Sequence, residues 1–87
     1  MTVPLVPRLA PHVSLRWQPA RGEWLLVLPE EVVVLNETAA AVLSLVDGQR
    51  PVESIVAGLR EEYEDVEVSD VTELLHDLAG RHLVVLS

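Results

Sequence analysis

The first half of the chain shows the pattern of apolar and polar positions that is typical of β-strands. Between residues 12 and 18 the two kinds of residue alternate strictly, which predicts a half-buried strand. Residues 23–28 are apolar on both faces, and residues 32–35 are a run of large aliphatic residues, three of them β-branched, which favours a strand. Short connections that contain proline and glycine separate the three segments. They predict an antiparallel meander of three strands.

After residue 35 the apolar spacing changes to that of helices. Asn36 is predicted to cap a first helix, and Pro51 suits the first turn of a second one. A third helix is expected to begin at a cap formed by Ser69 or Asp70 and to end at Gly80. Three strands followed by three helices predict an α+β domain of a winged helix-turn-helix-like kind.

Prolines divide the chain into an arm and a domain. Residues 1–11 contain three of the six prolines and are predicted to form a flexible N-terminal arm. Residues 12–87 are predicted to form a single domain, because 87 residues leave room for one small core. Residues 82–86 are interpreted as a short extended tail that could cover part of this core.

Composition and charge exclude several classes of function. An apolar content of 49% predicts a folded core, and the absence of cysteine excludes disulfides and cysteine-bound metals. The net charge of −8 would repel a phosphate backbone, so nucleic acid is not an expected partner. No apolar run reaches the roughly 18 residues of a membrane-spanning helix, and the N-terminus does not have the pattern of a signal peptide. We therefore expect a cytoplasmic protein without membrane contact.

The polar residues show no pattern of a catalytic or metal-binding site. His12, His76 and His82 are the only candidate bases, and no serine lies in a G-x-S-x-G motif. His76 and His82 are six residues apart across a glycine, unlike the i, i+4 spacing of helical histidine ligands. The sequence predicts a protein that is not an enzyme and that holds no metal or cofactor.

The third predicted strand has an unusual edge. Its residues are Val32, Val33, Val34 and Leu35, and unless the C-terminal tail pairs with it this strand lies at the side of the sheet. An edge of large aliphatic residues without lysine, proline or an inward charge is prone to pair with another strand. On physical grounds two explanations fit about equally: pairing with an extended peptide, or covering of the edge by the chain's own tail or by a second copy of the chain.

Several short motifs occur in an order and spacing that are more specific together than each motif is alone. They are Pro7-Arg8-Leu9, Leu15-Arg16-Trp17, Arg21-Gly22, Pro29-Glu30, Asn36-Glu37-Thr38-Ala39, Asp47-Gly48, the spaced residues Ile55, Leu59 and Tyr63, Asp70-Val71 and Leu75-His76-Asp77-Leu78. Through these motifs, from about residue 7 to residue 84, the chain resembles the PqqD family of peptide chaperones in pyrroloquinoline quinone (PQQ) biosynthesis, which are recognition elements for ribosomally synthesised and modified peptides (RiPPs). Gln18 replaces a residue that is usually acidic in this family, and Pro51 replaces an expected threonine.

The resemblance implies a specific role. Proteins of this family bind a ribosomally made precursor peptide, here PqqA-like, and deliver it to a radical SAM enzyme, here PqqE-like. The precursor adds as a strand beside residues 32–35 and lies in a cleft against the third helix, for which the candidates are Val71, Leu74, Leu75 and Leu78. Two alternatives stay open: a recognition element of another RiPP pathway, and a homodimeric structural module that uses the same sheet edge.

Overall fold

The computed structural model describes residues 5–87 and contains two antiparallel sheets and three helices. The elements in chain order are β1 (Pro7–Leu9), β2 (Ser14–Gln18), β3 (Glu23–Val27), β4 (Val32–Leu35), α1 (Glu37–Leu43), α2 (Val52–Leu59), α3 (Val68–Gly80) and β5 (Val84–Leu86). The predicted α+β class is confirmed, because β2, β3 and β4 form a three-stranded antiparallel sheet in that order and the three helices follow it.

The three-stranded sheet has one face on the core and one face turned away from it. Leu26 in the central strand is completely buried, and it lies opposite Leu15 of β2 and Val33 of β4. Side chains alternate between the two faces of a strand, so the neighbours Leu25 and Val34 lie on the other face. The core therefore lies on the side of the sheet to which Leu15, Leu26 and Val33 point.

The helices complete the core with their aliphatic faces. The apolar stripe of α2 and that of α3 recur at helical spacing, so that each helix buries one side. The completely or almost completely buried large side chains are Leu26, Leu43, Ile55, Leu75, Val42, Val56 and Pro7. No charged or polar residue is buried in the part of the chain that the structure describes, so this core depends on aliphatic packing alone.

The start of α1 agrees with the sequence prediction, and the start of α3 does not. Asn36 caps α1 as predicted, because its side-chain oxygen accepts a hydrogen bond of 2.7 Å from the backbone N–H of Ala39. The prediction of a cap at Ser69 or Asp70 is wrong, since α3 begins at Val68 and its first carbonyl acceptor belongs to Glu67.

Gly80 is the last residue of α3, as predicted, but the residue that caps the helix is Arg81 and not Gly80 itself. The helix includes Gly80, and His82 adopts the left-handed conformation, with φ of 62°. The N–H of Leu83 then bonds back to the carbonyl of Leu78, at 3.0 Å. His82 thus occupies the position that a glycine usually takes at a helix end.

The N-terminal segment is part of the fold, which corrects the prediction of a flexible arm over residues 1–11. Residues 1–4 lie outside the described residues, but β1 pairs with β5, from Pro7 opposite Leu86 to Leu9 opposite Val84. Pro7 is buried, and the N–H of Gly48 donates a hydrogen bond to its carbonyl. Prolines suit this strand because proline is tolerated at the first residue of a strand and at sheet edges.

The loop between α1 and α2 is organised by Asp47. Its side chain accepts hydrogen bonds from the backbone N–H groups of Gln49 and Arg50, both at 2.9 Å, and the Arg50 side chain lies 3.4 Å from the carboxylate. The two backbone hydrogen bonds lower the pKa of Asp47 below its usual value of 3.8, and the charge of Arg50 lowers it further by a smaller amount. The ionised carboxylate therefore favours the folded state.

We expect Asp47→Asn to lower the melting temperature near neutral pH and to make little difference in strong acid. A group whose pKa is lower in the folded state adds stability above its unfolded pKa of about 3.8 and loses that stability as the pH falls through the folded pKa. Thermal unfolding of both proteins between pH 2 and pH 7 measures this effect. Equal melting temperatures at neutral pH would contradict it.

Candidate functional site

The outer side of β4 is the open edge of the three-stranded sheet. Within residues 5–87 the only strand neighbour of β4 is β3, and the C-terminal strand β5 pairs with β1 instead. The possibility that the chain's own tail covers this edge is therefore excluded. The backbone N–H and C=O groups along such an open edge are unpaired and can bond to another strand.

The hydrogen-bond register shows which backbone groups of β4 face the open side. The N–H of Leu28 donates to the carbonyl of Glu31, at 2.9 Å, so these two residues form a hydrogen-bonded pair at the hairpin end. Hydrogen-bonded and non-hydrogen-bonded pairs alternate along an antiparallel ladder. Val33 consequently bonds to Leu26 of β3, whereas the backbone groups of Val32 and Val34 point to the open edge.

The side chains of the four predicted edge residues divide between the two faces of the sheet. Val33 and Leu35 are half-buried and pack against the core. Val32 and Val34 are 55% and 56% exposed and lie on the outer face. The residues whose backbone groups face the edge are therefore also those whose side chains are on the outer face.

A cleft begins where β4 ends and lies between the three helices. Its volume is about 210 Å³, and its wall is mostly apolar. Leu35, the last residue of β4, is followed directly by Asn36, which is the first cleft residue in the chain. The residues that line the cleft are Asn36, Thr38, Ala39, Ala41, Val42, Leu59, Tyr63, Asp65, Val66, Asp70, Val71 and Leu74.

The four cleft candidates of α3 do not share one environment. Val71 and Leu74 line the cleft, and Leu74 is half-buried, so its side chain is accessible from the cleft. Leu75 and Leu78 are 1% and 3% exposed and belong to the core cluster. The structure therefore brings Val71 and Leu74 to the cleft and places Leu75 and Leu78 beneath it.

Sequence reasoning missed the opposite wall of the cleft. Tyr63 and Val66 lie in the loop between α2 and α3 and are half-buried there. Their neighbours in the chain are acidic, a composition that by itself indicates a solvated helix end. The signal in the sequence was the pair of apolar residues three positions apart within the acidic run, although only the fold shows that they turn towards α3.

The charged side chains that line the cleft or precede β4 are acidic, whereas the basic Arg60 donates a hydrogen bond to the carbonyl of the cleft residue Val66, at 3.0 Å. Asp65 and Asp70 lie on the rim of the cleft, and Glu30 and Glu31 precede β4 in the hairpin turn. The exposed residues of α3 also include the acidic Glu73 and Asp77. The site is thus an apolar groove with a negative border.

No metal site and no membrane span occur among residues 5–87. Groups of three or more histidine or carboxylate side chains that could hold a metal ion are absent from this part of the chain. None of its helices is sufficiently long and apolar to cross a bilayer.

Comparison with known proteins agrees with this geometry. The sequence model of the family Coenzyme PQQ synthesis protein D (PqqD) matches residues 23–84, from β3 to the start of β5. The chain belongs to the PqqD family. The resemblance found in the sequence is thereby confirmed, and the matched segment contains both β4 and the whole cleft.

PqqA binding proteins of other bacteria are similar to most of the chain. A PqqA binding protein of Azotobacter vinelandii is 40% identical over 83 residues, which are 93% of this chain and 90% of the relative. A PqqA binding protein of Methylococcus capsulatus is 40% identical over 68 residues, 77% of this chain and 73% of that protein.

A solved structure shows the same fold. It is the solution NMR structure of the PqqD part of Methylobacterium extorquens PqqCD, described as a functional and stand-alone RiPP recognition element. It superposes with a TM-score of 0.75 at 34% identity and covers 92% of this chain and 88% of the other. The order of three strands and three helices is therefore that of a PqqD domain.

Proposed function

We propose that this protein binds a PqqA-like precursor peptide by strand addition and presents it to a PqqE-like radical SAM enzyme in PQQ biosynthesis. The observation that carries the proposal is the open backbone of β4, where Val32 and Val34 direct their N–H and C=O groups away from the sheet. Relatives that cover most of the chain are named PqqA binding proteins, which supports a PqqA-like ligand.

Strand addition follows from the chemistry of the edge. An extended peptide that pairs with β4 supplies hydrogen bonds to four open backbone groups, the N–H and C=O of Val32 and of Val34. These bonds do not depend on the sequence of the peptide. Selectivity must therefore come from side-chain contacts, and the cleft at the end of β4 provides an apolar surface for them.

The proposed role requires no chemical step in this domain. Binding and release of an extended peptide need a surface and a modest conformational adjustment, and the reaction is left to the partner enzyme. A peptide held as a strand is also ordered before it meets the enzyme, which lowers the entropy cost of the encounter.

An NMR titration tests the binding step. We would titrate ¹⁵N-labelled protein with the synthetic PqqA peptide of Azotobacter vinelandii, whose binding protein is 40% identical to this chain. The amide signals of Val32, Val34 and Leu74 are expected to shift together with one apparent Kd. Shifts that are absent, or that are scattered over the surface, would contradict peptide binding at this site.

Presentation to the enzyme needs a separate test. A radical SAM enzyme of the PqqE type would be incubated with PqqA in the presence and in the absence of the protein, and the modified peptide would be quantified by mass spectrometry. The protein is expected to increase the yield in proportion to the occupied fraction of peptide. Equal yields in both reactions would contradict presentation, while leaving peptide binding intact.

A second copy of the chain is the competing occupant of the edge. Pairing of β4 with β4 across a twofold axis satisfies the same backbone groups. Each copy carries a net charge of −8, however, so self-association brings two strongly negative surfaces together. Light scattering with and without PqqA distinguishes the two, because a dimer that uses this edge must dissociate when the peptide binds.

Salt is expected to weaken peptide binding only modestly. The contacts at β4 are backbone hydrogen bonds and aliphatic side chains, which ions screen little, so the acidic border mainly affects the rate of encounter. Calorimetry between about 50 and about 300 mM sodium chloride should show a change in Kd of less than about tenfold. A loss of several orders of magnitude would mean that charge pairs dominate the interface.

A further inference from the structure

The outer face of the three-stranded sheet carries an apolar patch beside the open edge. Val32 and Val34 are more than half exposed, and the register places Val27 and Leu25 of β3 directly opposite them. We call these four residues the outer patch. None of them packs against the core cluster of the described residues. A sheet with one face on the core normally has polar residues on the other face, so the patch departs from the usual pattern.

The patch coincides with the open backbone groups of β4. Val32 and Val34 are the two residues whose N–H and C=O groups face the edge, and their side chains lie on the outer face. In an antiparallel pair, a residue directly opposite another one has its side chain on the same face. A peptide that bonds to Val32 and Val34 therefore places its own side chains beside these two valines.

The outer patch and the cleft lie on opposite sides of the peptide that the proposed function adds to β4. Resting on that function, we infer that the segment of the peptide paired with β4 is apolar on both faces over about four residues, the length of β4. Its outward side chains cover Val32 and Val34, and the alternate ones point to the helix side. Val32 and Val34 thus select the peptide by their side chains as well as by their backbone.

The inference predicts which peptides the edge rejects. If the face of the bound peptide beside Val32 and Val34 were polar, both valines would lie next to hydrophilic side chains. The apolar cross-strand contacts of the two valines would then be lost. A peptide carboxylate near the start of β4 would also meet Glu30 and Glu31 in the hairpin turn. The preferred ligand is therefore a short aliphatic or aromatic segment without acidic residues.

Substitutions that keep the shape of valine test this inference. Threonine has nearly the volume of valine and retains the preference for strands, so Val32→Thr/Val34→Thr changes the polarity of the patch and leaves the backbone bonds available. Val68→Thr is the matched control, because Val68 is 45% exposed but lies at the start of α3. Val34→Ile enlarges the apolar surface and should act in the opposite direction.

The readout is the Kd of the Azotobacter vinelandii PqqA peptide, measured by calorimetry together with the melting temperature of each variant. We expect the double threonine variant to raise the Kd by about five- to tenfold and Val34→Ile to lower it by about twofold, with Val68→Thr unchanged. Partial unfolding could raise the Kd but could not lower it, so it cannot explain both changes. All melting temperatures should stay close to that of the parent.

The outcomes separate this inference from the proposed function. If the threonine and isoleucine variants bind like the parent while Val34→Pro binds weakly, the inference that the peptide is apolar on both faces is wrong. Strand addition to β4 is then still supported. If the parent itself does not bind PqqA, or if Val34→Pro binds normally, strand addition is wrong and the inference falls with it.

Discussion

Proline at position 34 is expected to leave the domain folded and to weaken PqqA binding by about 1–3 kcal/mol. The N–H of Val34 faces the open edge, so its removal breaks no bond within the sheet. Proline is tolerated on an edge strand when its missing donor would have faced outward. The peptide loses one hydrogen bond and meets the pyrrolidine ring at the contact.

The neighbouring position is the matched control. Val33 bonds to Leu26 of β3 and packs against the core, so Val33→Pro leaves the carbonyl of Leu26 without its donor in a buried environment. That loss alone costs about 1–3 kcal/mol, and the distortion of the strand adds to it. Val33→Pro is therefore expected to lower the free energy of unfolding.

Urea unfolding and peptide calorimetry on the two proline variants measure both effects. The expected result is a folded Val34→Pro that binds weakly and a destabilised Val33→Pro. If both variants were folded and both bound PqqA normally, the peptide would not pair with β4. If Val34→Pro were the less stable variant, the register derived from the hairpin bond would be wrong.

Leu75→Ala is expected mainly to lower the stability of the domain, and Leu74→Ala mainly to weaken peptide binding. Leu75 is 1% exposed, so truncation leaves a cavity that costs about 2–5 kcal/mol of stability. Leu74 is half-buried on the cleft wall, so its truncation costs less stability and removes apolar area that the peptide would cover. Leu74→Ala should therefore weaken PqqA binding by about 1–2 kcal/mol.

The two variants suit a direct comparison because they change the same residue type at adjacent positions of α3. Stability is measured by urea unfolding and affinity by calorimetry with the PqqA peptide. Leu75→Val is a milder core variant that should stay folded and bind PqqA like the parent. A Leu74→Ala protein with unchanged affinity would show that the peptide does not reach the cleft.

The amino-acid sequence alone determined the order and kind of the central elements. Apolar alternation between residues 12 and 18 and the β-branched run at 32–35 predicted strands, and both lie in the three-stranded sheet. Asn36 predicted the start of α1 because a capping side chain acts on backbone groups only three residues away. Such signals are local, so they can be recognised without the fold.

The sequence also predicted that residues 32–35 lie at the side of the sheet unless the C-terminal tail pairs with them, and its motifs indicated the PqqD family. Both conclusions rest on residue type and spacing along the chain. The start of α3 and the residue that caps its end, Arg81, differ from the prediction, since neighbouring backbone geometry decides which residue caps a helix. His82 in the left-handed conformation is an example that residue preference does not predict.

Only the tertiary structure decided what each edge residue can do. The pairing of β5 with β1 removed the chain's own tail as a cover for β4, and it joined Pro7–Leu9 to the fold. The hairpin bond between Leu28 and Glu31 assigned the open backbone groups to Val32 and Val34. The packing of α3 placed Leu74 on the wall of the cleft and Leu75 in the core. The strand pairing and the helix packing depend on contacts between residues far apart in the chain. The assignment of the open backbone groups depends on the strand register, in which a shift by one residue would exchange the two sides. The local apolar pattern contains neither kind of information.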